Sequence, residues 1–270
     1  MRTLVMLAVT LTPVIGYSQI PVITGAVNAA SFAQAQPLSP GSLVSIFGTG
    51  LAASAAVAST VPLPNSIEGV SVTFSGTTAP LQYVSLGQIN LQVPWNVQTG
   101  VTEIVVSVNG TTSSAFRAQV RPASPGIFTI PSGSHQAVAV SPVPPVGSIA
   151  ARQDSIPGVS TYPTAVGSPL TILATGLGLV APAIANGAAS GDQMRATVTM
   201  PTVLVNGSPA LVTFSGLSPE FVGVYQINIV VPESGWGPGG GGGPATLQIE
   251  LGDIRTSDQV TIEVFTKWSN

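Results

Sequence analysis

Gln88-Ile89-Asn90-Leu91-Gln92-Val93-Pro94 returns later in the chain as Gln226-Ile227-Asn228-Ile229-Val230-Val231-Pro232, and this duplication decides the fold. Ile89, Leu91 and Val93 fall on one side of an extended chain, and Gln88, Asn90 and Gln92 on the other. Ile227, Ile229 and Val231 repeat the apolar side. A period of two marks a strand with one face buried. Proline donates no ladder hydrogen bond, so Pro94 and Pro232 suit the strand ends. The matched Gln and Asn residues have two readings. Their amides either bond backbone at a sheet edge or inter-domain seam, as buried polar groups must, or contact a ligand as a pair.

Working outward, a second device recurs. Gly41-Ser42-Leu43-Val44-Ser45-Ile46-Phe47 runs into Gly48-Thr49-Gly50-Leu51, and Gly167-Ser168-Pro169-Leu170-Thr171-Ile172-Leu173 runs into Ala174-Thr175-Gly176-Leu177. The two align without a gap. They read as a strand leaving through a tight turn, where glycine supplies a positive φ. The Gly-x-Gly is not a phosphate loop, because no helix follows and the rest of that fingerprint is missing. Val70, Val72 and Phe74 alternate with polar residues, as do Ile104, Val106 and Val108, and Leu247, Ile249 and Leu251. Asn109-Gly110 is a strong hairpin signal. Asn109-Gly110-Thr111 and Asn206-Gly207-Ser208 also fit the glycosylation sequon, but the turn accounts for both.

The copies lie more than a hundred residues apart, far beyond solenoid or propeller-blade periods. The pattern predicts an all-β chain of two tandem immunoglobulin-like β-sandwich domains, each with about seven short strands. The expected units are residues 19–122 and 123–270, the second with an irregular lead-in at 123–165. That lead-in is too long for a plain linker, and Ile127, Phe128, Val138 and Val140 want a core.

Composition narrows the function. Charged residues are 6% of the 270 and hydrophobic residues 44%. Ser, Thr, Gln, Asn, Gly and Pro must therefore cover the surface. Arg2, the apolar stretch from Leu4 to Ile15, and small Gly16 and Ser18 read as a secretory leader cleaved after Ser18, too short for a membrane span. Without Arg2, 6 basic residues face 10 acidic ones. No basic patch points to nucleic acid. There is no cysteine and one histidine, His135, so no His/Cys zinc site can form. The carboxylates are scattered, with no calcium loop, and no Gly-x-Ser-x-Gly nucleophile turn is present. The chain is read as non-catalytic with no cofactor. A carboxylate pair assembled only by the fold is the hydrolase alternative.

Two non-catalytic readings are open. One is a structural spacer or envelope component. The other is an extracellular module that binds carbohydrate or peptide through aromatic residues near strand ends: Tyr83, Trp95, Tyr225, Trp236 and Trp268. For Trp95 the competing role is a plug at a sandwich end or between units. Trp236, flanked by glycines, is expected to be exposed. The Gly239–Gly243 run is read as a flexible loop. Partners would be a polysaccharide or an envelope or surface protein.

Pro40–Leu51, Val84–Trp95 and Ala123-Ser124-Pro125-Gly126-Ile127-Phe128 together resemble a large paralogous family of secreted, Solibacter-type proteins of soil acidobacteria. Ala174–Gly178 and Val222–Asn228 fit its second half. More distantly, each half resembles the IPT/TIG immunoglobulin-like domains shared by plexins and some transcription factors. The resemblance implies an exported, immunoglobulin-like chain and brings no catalytic residues. The glycine run departs from the family pattern.

Overall fold

The computed structural model describes residues 19–236, 242–256 and 259–266. The expected leader, most of the glycine run and Trp268 lie outside the described residues. The protein is all-β, two immunoglobulin-like sandwich units in tandem.

The strands of four residues or more in the first unit are β1 (Val22–Asn28), β2 (Leu43–Thr49), β3 (Val70–Phe74), β4 (Leu81–Val84), β5 (Gln88–Gln92), β6 (Gly100–Val108) and β7 (Phe116–Val120). One sheet runs β1-β2-β5-β4 and ends on Ala56–Val57; the other runs β7-β6-β3 and ends on Thr77–Thr78. The alternating residues face inward as expected. Val44, Ile46, Ile89 and Leu91 of one sheet and Val70, Val72, Ile104 and Val106 of the other share one buried cluster. Each such side chain contributes about 1.5–3 kcal/mol by burial. The first motif copy, β5, is a central strand, paired antiparallel to β2 and β4.

The second unit continues with β8 (Pro169–Thr175), β9 (Thr202–Val205), β10 (Ser208–Leu217), β11 (Tyr225–Val230), β12 (Gly243–Leu251) and β13 (Val260–Phe265). The second copy, β11, is again central, between β8 and β10. Here the two sheets are joined. The start of β10 pairs with β9 and the remainder with β11, and its register shifts between Val212 and Phe214. A shift of this kind bends and twists a strand, so β10 passes from one layer to the other. Asn109-Gly110 and Asn206-Gly207 both turn with positive φ at both residues, which matches the right-handed twist of the flanking strands.

The lead-in to the second unit is part of its sheet. Gly126–Ile127 and Ala139–Val140 both pair with β8, and Thr164–Ala165 lies parallel to β13. Ile127 is buried, but Phe128, Val138 and Val140 are only half-buried. The expectation that all four enter a core is corrected: Phe128 and Val138 face a surface groove instead.

The seam between the units is closely made. Leu43 N–H donates to Thr175 Oγ1 (2.9 Å), whose hydroxyl donates to the Gly223 carbonyl (2.7 Å). Asn28 Nδ2 donates to the Ser124 carbonyl (3.0 Å). The wholly buried Gln92 accepts from Gly187 N–H on Oε1 (2.7 Å) and donates Nε2 to the Gly41 carbonyl (3.3 Å). Its counterpart in the second copy is apolar Val230, half-buried between its register partners Pro169 and Leu211. Thr175 and Gly176, the second copy of the Thr-Gly turn, are turned into the interface. A Cβ on Gly176 would lie 3.2 Å from Ser39 Oγ of the first unit and 2.1 Å from the Ser124 carbonyl oxygen of its own.

Candidate functional site

Strand parity places the site. Ile89 and Leu91 point into the core, so Gln88 and Asn90 stand on the outer face of the first unit. Ser45 is the register partner of Asn90 on β2, and its hydroxyl donates to Asn90 Oδ1 (2.9 Å). Gln88 Nε2 donates to the same oxygen (2.7 Å). The Asn90 side-chain carbonyl is thereby occupied, which leaves the NH2 group as what Asn90 can offer a ligand. The second unit repeats the device: Thr171 is the register partner of Asn228, and its hydroxyl donates to Asn228 Oδ1 (3.1 Å).

Both motif copies line cavities. Gln88 and Asn90, with Ser45 and Gln82, line a groove of about 540 Å³ between the units. Its apolar walls are Phe32, Phe128 and Phe221, with Leu43, Val138, Leu173 and Val224. Phe221 is 54% exposed although nothing polar in its ring rewards exposure. This size is typical of small-molecule sites, as are apolar walls around a few convergent polar groups. Among the described residues, no carboxylate, imidazole, amine or guanidinium lines the groove. It can bind through hydrogen bonds and ring faces, and it has no group that would move a proton at neutral pH.

Gln226 and Asn228 line a second groove of about 480 Å³, with Phe214, Met194 and Pro219. The loop Ser190–Met194 forms one wall. Arg195 anchors it, its side chain only 6% exposed. The guanidinium donates to both carboxylate oxygens of Asp192 (2.6 and 3.0 Å) and to Ser190 Oγ (3.2 Å). That bonding holds the Asp192 carboxyl down at about 2 and raises Arg195.

A third cavity, about 590 Å³, also spans the units and is lined by Gln119, Arg121, Gln248, Asp253 and Arg255. It is the largest of the three but has no aromatic wall among its described residues. Arg121 and Asp253 face each other across it at 3.8 Å, both largely exposed, so the pair contributes little.

The aromatics singled out from sequence are dispersed. Tyr83 is half-buried on β4 and is the register partner of Asn90, so it lies on the groove's sheet face. Trp95 sits in the seam. Its backbone N–H donates to Asn186 Oδ1 (2.8 Å), its ring lies on Gly41, and it packs against the core of the second unit. Trp236, expected to be exposed, is half-buried against the same core and donates Nε1–H to the Pro232 carbonyl (2.8 Å). Tyr225 is wholly buried; its hydroxyl donates to the Gly178 carbonyl, and burial pushes its ionisation far above the ordinary range. It is a core residue with no surface to offer a ligand. His135 is exposed, with Nδ1 3.0 Å from the Gln259 carbonyl, and lines neither groove. Among the described residues no group of His, Asp and Glu side chains could hold a metal, and no helix is long and apolar enough to cross a membrane.

Residues 30–120 match the sequence profile of the IPT/TIG domain, so the first unit carries the immunoglobulin-like domain the resemblance implied. No characterised protein matches the chain in sequence. Among solved structures, similar chains include the SGBP-B protein of the Bacteroides ovatus mixed-linkage glucan utilization locus, in complex with a mixed-linkage heptasaccharide. It is 15% identical, with 86% of this chain and 44% of that one covered and a TM-score of 0.33. The plexin A4 extracellular region is 12% identical over 94% of this chain and 19% of its own (TM-score 0.31). The titin immunoglobulin tandem A164-A165 is 12% identical over 86% of this chain and 91% of its own (TM-score 0.19). The chain spans less than half the length of the first two. At such scores none of them bears on what this chain binds.

Proposed function

We propose that this chain is a non-catalytic interaction protein that holds an uncharged ligand in the groove between its two units, the units dividing at residues 122 and 123. One observation carries the reading: the same cavity joins a floor of oriented amides and hydroxyls, Ser45, Gln82, Gln88 and Asn90, to walls of three phenylalanines. Amides match the hydroxyls or amides of a neutral glycan or peptide, and ring faces cover its C–H surfaces. The leader-like residues 1–18, read as cleaved near Ser18, support export, as does the resemblance of the motifs to the secreted acidobacterial family. The test is retention of the purified chain on insoluble polysaccharides and on envelope fractions. Phe221→Ala and Phe128→Ala are expected to lower retention several-fold while Trp236→Ala leaves it unchanged. Retention insensitive to both phenylalanines would overturn the groove as the site. Absence of retention on every matrix would favour a purely structural role.

A further inference from the structure

We infer that the groove over the second motif copy is a second subsite of the same binding face, and that together the two accept a linear, neutral polysaccharide. The inference rests on the reading of the first groove as a binding site. Three observations carry it.

The first is the repeated hydroxyl–asparagine device. Ser45 orients Asn90, Thr171 orients Asn228, and each asparagine lines its own cavity. Two like donors suit a ligand that presents like groups in succession. The second is adjacency. Leu173 lines the first groove and Gln226 the second, yet they are register partners on β8 and β11. Partners across a ladder sit about 5 Å apart on one face. Pro219 and Phe221, two residues apart in one loop, line the second and first grooves. One face therefore continues from groove to groove.

The third observation selects the chemistry. A peptide adding to a sheet needs an edge with free backbone groups. Both motif strands are central and paired on both sides, so only side chains are available to read the ligand. Among the described residues no charged side chain lines either groove, and the exposed charges beside them in the chain, Asp192 and Glu220, are negative, which disfavours an anionic polymer. A neutral sugar chain offers repeated hydroxyls for the amides and C–H faces for Phe221, Phe128 and Phe214.

The experiment uses the full chain in native gels containing hydroxyethylcellulose, xylan, galactomannan or soluble starch. Calorimetry with oligomers of whichever polymer retards it follows. Asn90→Leu and Asn228→Leu are each expected to weaken polymer binding about three- to tenfold, the effect of one hydrogen bond. Met194→Glu, at a side chain 75% exposed and hence safe for folding, should weaken it as well. A disaccharide should respond to only one of the two asparagine substitutions, and longer oligomers to both. If Asn90→Leu and Phe221→Ala weaken binding while Asn228→Leu and Met194→Glu do not, the second subsite is overturned and the first groove stands. If no polymer retards the chain, the paired polysaccharide subsites are overturned and the first groove is judged by its retention on envelope fractions; if no substitution matters, both readings fall.

Discussion

One of the contacts in the seam, the Trp95 ring lying on Gly41, has energetics that can be worked through. Gly41 has φ +76°, and a Cβ built on it would lie 2.2 Å from two carbons of the Trp95 ring. A buried tryptophan covers about 150–250 Å². With about half of that covered, truncation of Trp95 to alanine forfeits roughly 2.5 kcal/mol at about 25 cal/mol per Å², and the void left in the seam brings the loss to about 3 kcal/mol. Gly41→Ala should be as harmful for two reasons. The left-handed backbone costs a side chain about 1 kcal/mol, and the methyl group expels the ring and forfeits the same roughly 2.5 kcal/mol. In the double variant the ring is already gone, so only the backbone cost adds to the truncation. The expected total is about 4 kcal/mol, against about 6.5 kcal/mol if the two losses were independent. The assay is urea unfolding of the four proteins followed by far-ultraviolet circular dichroism. Losses that add within about 0.5 kcal/mol would refute the reasoning, because the ring would then not be seated on Gly41.

Gln92→Leu keeps the bulk of the side chain but strands Gly187 N–H and the Gly41 carbonyl in the seam. It should cost about 2–3 kcal/mol by the same unfolding assay, and a loss under about 0.5 kcal/mol would show that the buried amide does not hold the seam. The loop walling the second groove should be acid-sensitive. The carboxyl of Asp192 is lowered to about 2 in the folded protein, below the roughly 3.9 of an unfolded aspartate. Its stabilisation is therefore complete above the unfolded value and lost as pH falls through the folded one. The thermal midpoint of the natural protein should exceed that of Asp192→Asn at about pH 6, with the gap closing toward about pH 2; a gap that is constant or widens in acid would contradict the Arg195 pairing.

Much of the site was within reach of strand parity. Tyr225 shares parity with Ile227 and Ile229, so its burial follows from the same alternation that puts Gln226 and Asn228 outside. Its place at a strand end drew attention to the ring and away from that parity. Phe128 sits next to inward Ile127 and so must face out, yet the Ser-Pro-Gly context hid that it continues a strand ladder. Phe32 and Phe221 lie in loops and carried no periodic signal. Trp95 and Trp236 could not be placed because each lies beyond the proline that closes an alternating run, where the period of two no longer fixes a side.

The sequence by itself determined the strands, the hairpin turns, the duplication and the immunoglobulin-like class, since each depends on residues close in the chain or on a repeat of period two. It also determined that the surface would be nearly uncharged. Only the tertiary structure decided that Gln92 serves the seam while Gln88 and Asn90 serve a groove, because residues of the same strand face are separated in role by what the other unit places over them. The phenylalanine walls come from segments about ninety residues apart, Phe32, Phe128 and Phe221, brought together by packing one unit on the other. Contacts of that kind leave no local pattern to read.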